Sequence, residues 1–132
     1  MKYDILTIFP EFFDSPFSFG ILKKAQDKGL LEINTHDIRA YSKDKHKTVD
    51  DTPYGGGGGM LMKIDPVAAA LENVKKTGKK SLVVLTTPDG ATFTDTMPRE
   101  LADHHQITII CGRYEVLCER IRDLYVDNVI YI

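Results

Sequence analysis

The sequence is short of cysteine, carries almost no net charge and has no long apolar run. Its 132 residues include only two cysteines, Cys111 and Cys118. Two are too few for a disulfide scaffold, and neither stands in a Cys-x-x-Cys or Cys/His spacing that would hold a metal ion. No apolar run approaches the length of a membrane span, and the first residues lack the charged start and apolar core of a signal peptide. These absences predict a soluble, cytoplasmic protein with free thiols and no membrane partner.

The charge balance limits the partners that the whole surface can attract. The chain has 17 Lys and Arg residues against 19 Asp and Glu residues, a formal net charge of −2. A nucleic-acid partner must therefore be met by a local basic patch, because the protein as a whole is not positive. A chain of 132 residues has the length of one domain with a real core. We expect residues 1–132 to form a single domain.

Strand-like apolar segments alternate with helical patterns along the chain. Strands are predicted at residues 3–9, 31–38, 81–87, 107–110 and 129–132. Helices are predicted from residue 21 to Gly29, from Asp65-Pro66 to Gly78, and at residues 98–105 and 115–125. The segment 31–38 mixes apolar with polar residues, which indicates an edge strand. The segment 81–87 contains a near-continuous apolar run at residues 82–85, which is typical of a strand buried on both faces. A turn is predicted at residues 86–90. The pattern favours an α/β fold with a mostly parallel sheet flanked by helices, and ligands bind such sheets beyond the carboxyl ends of the strands.

Three groups of apolar residues are predicted to face the core. Helical spacing predicts one inward face on each of two helices. The residues of these faces are Val67, Ala70, Leu71 and Val74 in the first helix, and Leu117, Ile121 and Leu124 in the second. The aromatic cluster after the first strand consists of Phe12, Phe13, Phe17 and Phe19. Aromatic clusters beside a strand end are more often core than ligand site, so core packing is predicted for these rings.

Five consecutive glycines, Gly55 to Gly59, form the most unusual stretch of the chain. Ordering such a run costs much backbone entropy and buries no side chain, so a ligand that touches bare backbone is the expected compensation. A Walker P-loop would end in Gly-Lys-Ser or Gly-Lys-Thr, whereas Met60-Leu61 follows here. Two interpretations remain open. One is a flexible surface that closes over a polyanion, with Asp50, Asp51 and Tyr54 at its base, and the other is a simple linker.

The densest positive stretch, residues 41–47, leads directly into this loop. Lysines beside the ring of Tyr41 are what phosphate neutralisation and base stacking require. Taken alone, the stretch is equally typical of a solvated face. Its continuity with the glycine loop favours an RNA partner.

Three blocks of sequence carry a family resemblance. Residues 46–60, with His-Lys-Thr-Val-Asp-Asp-Thr-Pro-Tyr before the glycines and Met, resemble the signature of the bacterial tRNA (guanine-N1)-methyltransferases of the TrmD family. Residues 111–115, Cys-Gly-Arg-Tyr-Glu, with Glu119-Arg120 after them, resemble the second signature of that family. Residues 8–13, Ile-Phe-Pro-Glu-Phe-Phe, resemble its first strand and turn. The blocks stand in the right order, and the resemblance covers essentially the whole chain.

The resemblance implies the SPOUT or α/β-knot class, in which S-adenosylmethionine lies bent in a trefoil knot of a homodimeric enzyme. The cofactor-binding residues that it implies are Leu85, Thr86, Thr87, Pro88, Gly112, Tyr114 and Glu115. Glycine suits position 112 because a Cβ there would push the cofactor away from the backbone. A simple strand-end turn is an alternative explanation for Gly112, and Arg113 and Glu115 could equally form a structural ion pair.

The resemblance also implies the reaction, which is methyl transfer to N1 of the guanosine 3′ to the anticodon, position 37 of the tRNA. The implied tRNA-binding residues are Lys45, His46, Asp50, Tyr54, Gly55, Gly56, Gly57 and Arg113. A protonated N1 is a poor nucleophile, so a general base must remove its proton. The base of the family is an aspartate that would lie beyond Ile132, and no catalytic residue is predicted in this chain. No metal ligand is predicted, and the sequence leaves open whether magnesium takes part.

The chain departs from the family pattern in ways that bear on activity. It ends before the Gly-Asp-Tyr-Val-Leu and Gly-Gly-Glu segment of the knot and before the tRNA-binding C-terminal domain. It has Val116-Leu117-Cys118 where the family has Gly-Ile-Asp, and Gly58 where proline is common. We therefore expect an incomplete or divergent copy of the methyltransferase. The alternative is a non-catalytic RNA-binding or dimerisation module, while a phosphate-binding nucleotide enzyme is disfavoured by the missing Lys-Ser/Thr.

Overall fold

The computed structural model describes residues 1–43, 50–51, 61–62, 64–74, 78, 80–112, 116–117 and 119–132. Strands β1 to β8 are, in chain order, Lys2–Thr7, Glu32–Asp37, Asp50–Asp51, Leu61–Met62, Ser81–Thr92, Gln106–Cys111, Val116–Leu117 and Asn128–Tyr131. Helices α1 to α4 are Gly20–Asp27, Ile64–Asn73, Met97–Ala102 and Glu119–Tyr125, and 3-10 turns occupy Pro10–Phe13, Pro16–Ser18 and Ile38–Tyr41. Within these ranges, no helix combines the length and the apolar composition needed to cross a membrane. The alternation of strands and helices confirms the predicted α/β class.

Five of the strands form one sheet in the order β2-β1-β6-β5-β8, and every neighbouring pair is parallel. Parallel strands connected by helices are buried on both faces, which explains the apolar run at residues 82–85 of β5. Its residues Val83, Val84 and Leu85 are 5%, 4% and 0% exposed. β2 lies at the sheet edge, as the mixed composition of its sequence predicted.

One face of this sheet is sealed by α2, α4 and the turn Ile38–Tyr41. The side chains that seal it form one apolar cluster, which consists of Leu6, Ile8, Ile38, Val67, Ala70, Leu71, Val74, Val83, Leu85, Ile110 and Ile121. All four residues predicted for the inward face of α2 belong to this cluster. A helix of this length gains most of its stability from burying such a face, so the spacing of apolar residues in α2 decides how it packs.

The opposite face of the sheet is covered less completely. Val84, Ile107 and Ile130 are buried there, and Met97 and Leu101 of α3 pack against them. Helix α1, which lies wholly within the described residues 1–43, has no buried residue. The sheet therefore has one sealed face and one face where apolar side chains reach the surface.

The predicted core packing of the four phenylalanines is wrong. Phe12 and Phe19 are 72% and 70% exposed, and Phe13 and Phe17 are only half-buried. The segment forms two 3-10 turns that begin at prolines after β1 has ended, so it adds no layer to the sheet. Three of the rings contact one another instead: Phe13 lies edge-on to Phe12 at a centroid distance of 5.3 Å and is stacked on Phe17 at 5.8 Å. The aromatic cluster is a surface feature at the end of β1.

A second, small sheet joins distant parts of the chain. β3 pairs antiparallel with β4, and β4 pairs parallel with β7. This pairing corrects the helix predicted over residues 115–125, because Val116–Leu117 form a strand and α4 begins only at Glu119. Pairing with another strand overrides the local helical spacing. The resulting register of α4 buries Ile121 as predicted, whereas Leu124, also predicted to face the core, is 68% exposed.

Strand β5 does not end at the predicted turn, residues 86–90, but continues to Thr92. Thr86 and Ala91 are both in register with Ile130 of β8, so the residues between them leave the ladder before pairing resumes. We name residues 87–90 the β5 excursion. The predicted turn is thus an irregularity inside a longer strand, because β8 offers a partner on both sides of it.

Gly90 closes the β5 excursion by packing directly against β8. A Cβ added to Gly90 would lie 2.6 Å from the carbonyl carbon of Ile130 and 2.8 Å from its nitrogen. Distances this short exclude any side chain at the position. Strand β5 returns to β8 only because this residue is glycine.

A buried polar network crosses the sheet on its sealed face. Asp4 is 1% exposed. Its Oδ1 lies 2.8 Å from Nε2 of His36, and its Oδ2 accepts a hydrogen bond of 2.8 Å from Nε2 of Gln106. Ser81 Oγ donates in turn to Gln106 Oε1 at 3.2 Å. The network joins β2, β1, β6 and β5, and it provides partners for a carboxylate that would otherwise be costly to bury.

We expect Asp4→Ala to lower the free energy of unfolding by about 3 kcal/mol, because it leaves His36 and Gln106 without their buried acceptor. Asp27→Ala is the matched control. Asp27 pairs with Lys23 at 3.0 Å in an exposed i,i+4 ion pair, and such pairs contribute about 0.5 kcal/mol or less. Urea unfolding of both variants and the wild type measures the difference. Equal losses for the two variants would contradict the role given to the network.

Gly90→Ala should lower the free energy of unfolding by about 2 kcal/mol, since the new methyl group overlaps the backbone of Ile130 and β8 must shift. Gly29→Ala serves as the comparison. Gly29 has φ +73° and nothing within 4 Å of an added Cβ, so the cost there is backbone strain of about 1 kcal/mol. Thermal unfolding reports both effects. A smaller loss for Gly90→Ala than for Gly29→Ala would show that β8 does not pack as closely as described.

Candidate functional site

A cavity of about 530 Å³ opens at the carboxyl ends of the parallel strands, on the less covered face of the sheet. The residues that line it are Ile5, Phe13, Phe17, Thr86, Thr87, Pro88, Ile109, Cys111, Gly112, Tyr131 and Ile132. Open parallel sheets bind ligands at this edge, because the segments that follow neighbouring strands converge there. We therefore treat this cavity as the candidate functional site.

The strand register assembles the wall of the cavity from distant parts of the sequence. Ile5 of β1 is in register with Ile109 of β6. Thr86 of β5 is in register with Cys111 at the end of β6. Because all these strands are parallel, each contributes its last residues to the same edge. The result is a mainly apolar floor rimmed by the segments that follow β5 and β6.

Four of the seven residues predicted to bind a cofactor line the cavity together. These are Thr86, Thr87, Pro88 and Gly112. Leu85 does not line it, because its fully buried side chain belongs to the core cluster on the sealed face.

The other two predicted cofactor residues, Tyr114 and Glu115, lie outside the described residues. The same holds for most of the predicted tRNA-binding residues, namely Lys45, His46, Tyr54, Gly55, Gly56, Gly57 and Arg113. Asp50 is described only as part of β3, where its backbone is in register with Met62.

The start of the basic stretch is anchored to the fold through Tyr41. The ring of Tyr41 packs partly buried against the core cluster, and its hydroxyl accepts a hydrogen bond of 2.7 Å from Nδ2 of Asn73 on α2. The ring therefore serves packing, and base stacking on Tyr41, which the sequence suggested, would require it to leave these contacts. Helix α2 instead fixes the point from which the basic stretch departs.

The β5 excursion is tied to α4 by a charged contact. Arg122 donates from Nη2 to Oδ1 of Asp89 at 2.7 Å, and Thr87 donates from Oγ1 to the same oxygen at 2.8 Å. Hydrogen bonds from Arg122 and then Thr87 lower the pKa of Asp89 from its ordinary 3.8 to about 2. A lowered carboxyl pKa means that the ionised form is favoured above about pH 2, so the contact is fully present at neutral pH and is lost only as the pH falls from 3.8 towards 2.

Cys111 contributes an uncharged sulfur to the cavity wall. Burial raises the pKa of its thiol from 9.0 to about 11. At neutral pH the group is therefore the protonated thiol, which is a poor nucleophile and a poor metal ligand. Cys111 acts as a small apolar wall residue.

The described part of the cavity wall is mainly apolar. None of the described side chains that line the cavity is a carboxylate, an imidazole or a basic group. The hydroxyl of Thr86 donates to the carbonyl oxygen of Ile110 at 3.2 Å, and that of Thr87 is engaged with Asp89. Across the described part of the chain, no three His, Cys, Asp or Glu side chains come together as a metal site. Such a cavity suits an aromatic or apolar portion of a ligand.

The apolar half of the wall was missed by the sequence analysis. Ile5 and Ile109 lie on strands buried on both faces, and alternation along each strand places them opposite the sealed core. Phe13 and Phe17 were assigned to the core because they are aromatic. Tyr131 could have been found from the rule that the last residues of parallel strands line ligand sites.

The family model and similar curated proteins point to the same family. The whole chain, residues 1–132, matches the family model described as tRNA (Guanine-1)-methyltransferase TrmD. A tRNA (guanine-N(1)-)-methyltransferase of Geobacter metallireducens is 51% identical over 128 residues, which cover 97% of this chain and 52% of that protein. A protein of the same name from Chloroflexus aurantiacus is 46% identical over 129 residues, with coverage of 97% and 51%. The chain spans about half the length of these curated relatives.

The fold is also that of a solved relative. The crystal structure of tRNA (m1G37) methyltransferase from Aquifex aeolicus has a TM-score of 0.88 to this chain at 36% sequence identity, and the match covers 100% of this chain and 59% of that one. This likeness confirms the SPOUT-type α/β fold expected from the three sequence blocks. Since the family model matches every residue and the relatives agree with it, the chain belongs to the tRNA (guanine-1)-methyltransferase family TrmD.

Proposed function

We propose that this chain is the cofactor-binding part of an S-adenosylmethionine-dependent tRNA (guanine-N1)-methyltransferase, and that its cavity takes the adenosine portion of the cofactor. The observation that carries the proposal is the convergence of Thr86, Thr87, Pro88 and Gly112 on one cavity. The family resemblance assigns the same four residues to the cofactor. Methyltransferases of this family use a methyl donor, and these residues are the described ones that would hold it.

The size and chemistry of the cavity fit an adenosine group. Its volume of about 530 Å³ lies in the range of roughly 300–1,000 Å³ that is usual for small-molecule sites. Apolar side chains such as Ile5 and Ile109 would remove the faces of an aromatic base from water. Gly112 leaves room for the ligand beside the backbone. S-adenosylmethionine supplies the methyl group when bound, and the wall residues bind the ligand, orient it and exclude water.

The proposed reaction is transfer of that methyl group to N1 of the guanosine at position 37, next to the anticodon. The N1 proton must leave when the new carbon–nitrogen bond forms, so the complete enzyme needs a general base. None of the described side chains that line the cavity is a carboxylate, an imidazole or an amine. We therefore assign binding and orientation to the described residues and proton removal to none of them.

Contact with tRNA is proposed for the basic stretch and the glycine loop. Positive residues neutralise phosphates, and bare backbone allows close approach of a large polyanion. The proposed residues are Lys45, His46, Asp50, Tyr54, Gly55, Gly56, Gly57 and Arg113. A homodimer, a cytoplasmic location and a single domain over residues 1–132 complete the proposal, and each rests on the family resemblance or the composition.

A non-catalytic RNA-binding or dimerisation module is the second candidate function. It is favoured by the absence of a carboxylate, an imidazole or an amine from the described side chains that line the cavity. Incubation with unmodified tRNA and labelled S-adenosylmethionine separates the two functions. Methylated tRNA excludes the module, whereas tRNA binding without methylation supports it.

Calorimetric titration should show S-adenosylmethionine binding to this chain with a micromolar dissociation constant. Ile109→Phe should weaken that binding at least about tenfold, because it fills part of the cavity. Leu124→Phe is the matched control, since Leu124 is 68% exposed on α4 and does not line the cavity. No binding by the wild-type chain, while a full-length relative binds under the same conditions, would overturn the cofactor assignment.

Alkylation of Cys111 offers an independent test of the cavity wall. In a Cys118→Ser background, we expect iodoacetamide to modify Cys111 slowly at neutral pH and faster as the pH rises towards 11. The reason is that burial raises the thiol pKa to about 11 and only the thiolate reacts. Mass spectrometry of timed samples gives the rate, with free N-acetylcysteine as the reference.

Added S-adenosylmethionine should slow the modification further, because Cys111 lines the cavity that the ligand would fill. Rapid modification at neutral pH would contradict the buried position of the thiol. An unchanged rate at saturating ligand would contradict the place of Cys111 in the binding site.

A further inference from the structure

The β5 excursion forms part of the cavity wall, but its residues are not paired in the ladder with β8. Thr87 and Pro88 line the cavity. Pairing of β5 with β6 ends at Thr86, whereas pairing with β8 stops at Thr86 and resumes at Ala91. No residue of these two described strands is therefore in register with residues 87–90. A segment outside the ladder needs other contacts to keep one conformation. Gly90 packs against the backbone of Ile130, so the shape of residues 87–89 depends mainly on side-chain contacts.

Arg122 on α4 supplies those contacts. Its Nη2 lies 2.7 Å from Oδ1 of Asp89 and 3.5 Å from Oγ1 of Thr87. Thr87 Oγ1 is itself 2.8 Å from Oδ1 of Asp89. One guanidinium thus reaches both the exposed carboxylate and the buried threonine of the excursion. We name this set of contacts the Arg122–Asp89 bridge.

The residue of the bridge on α4 belongs to a helix that packs against the core. Ile121, next to Arg122, is fully buried in the core cluster. Tyr125, one turn further along the helix, donates from its hydroxyl to Oε1 of Glu72 on α2 at 3.3 Å. The Arg122 side chain is only 18% exposed, so its position is restricted by packing. A fixed cation can orient a segment that has no ladder of its own.

Most exposed ion pairs contribute little to the free energy of unfolding. Asp89 is 62% exposed, so a large contribution to global stability is not expected. The comparison is the pair of Lys23 and Asp27, in which both side chains are more than half exposed and both lie on one helix. The Arg122–Asp89 bridge differs because it connects two elements, and one of them is a wall of the cavity.

We propose that Arg122 is a positioning residue that acts through Asp89 to hold the β5 excursion in its ligand-binding shape. The part of this proposal that concerns the ligand rests on the proposed function. The part that concerns the conformation of residues 87–90 does not. Arg122 reaches the cavity lining at Thr87, so we assign it a role that acts through the excursion and not a catalytic one.

The first measurement is amide hydrogen exchange by NMR on the ligand-free chain. Arg122→Gln and Asp89→Asn should each speed exchange in the excursion about two- to fivefold, while amides of the core strand around Leu85 keep their protection. Arg122→Lys, which keeps the charge but not the forked geometry, should lie between wild type and Arg122→Gln. Lys23→Gln is the matched control, because it breaks an exposed ion pair whose two residues do not line the cavity.

The second measurement is the affinity for S-adenosylmethionine by calorimetry. Arg122→Gln and Asp89→Asn should each weaken binding about two- to fivefold. The dissociation constant of the double variant should not exceed that of the single variant that binds less tightly, because both changes break the same bridge. Lys23→Gln should bind like the wild type. Asp89→Asn changes an exposed residue, so it keeps the test valid if Arg122→Gln does not fold.

Each result has a separate meaning. Unchanged exchange in the excursion of both single variants overturns the proposal, whatever the ligand does. Faster exchange with equal affinity in all variants overturns the positioning role and leaves only a structural contact. Faster exchange while not even the wild type binds supports the bridge and shows that the proposed function has failed.

Discussion

All five strands of the main sheet run in the same direction, and the rest of the structure depends on this constraint. Parallel strands end at the same edge, so the segments that follow them meet there. A parallel sheet must also be covered on both faces by its connecting helices. Here α2 and α4 seal one face, while α3 and the exposed α1 leave the other partly open. The apolar surface that remains uncovered is therefore concentrated at the strand ends, where it forms the cavity.

The two regions of the sheet divide the tasks of stability and binding. On the sealed face, Asp4 joins strands from opposite ends of the chain, since its partner Gln106 is 102 residues away. A slip in register would leave that carboxylate buried without its partners, so the network favours one pairing of strands. The cavity wall carries no ionised group among its described side chains. A ligand can therefore cover this wall without the free-energy cost of removing a charged side chain from water.

The elements predicted correctly are those whose pattern of apolar residues lies within one short segment of the sequence. Continuous apolar sequence identified β5 and β6, mixed composition placed β2 at an edge, and helical spacing identified the buried face of α2. The errors share one cause. Val116–Leu117 became a strand because β4 pairs with it, and the phenylalanines stayed at the surface because no layer covers them. Strand β5 continued past its predicted turn because β8 accepts it on both sides of the β5 excursion.

The sequence by itself determined the family, the alternation of strands and helices, and the four residues Thr86, Thr87, Pro88 and Gly112 that meet in one cavity. Only the tertiary structure decided that Leu85 belongs to the core, that Phe13 and Phe17 line the cavity, and that Arg122 reaches Asp89. Local periodicity reports which way a side chain faces within its own element. Contacts between elements depend on strand register and helix packing, and these are determined by residues that lie far apart in the sequence.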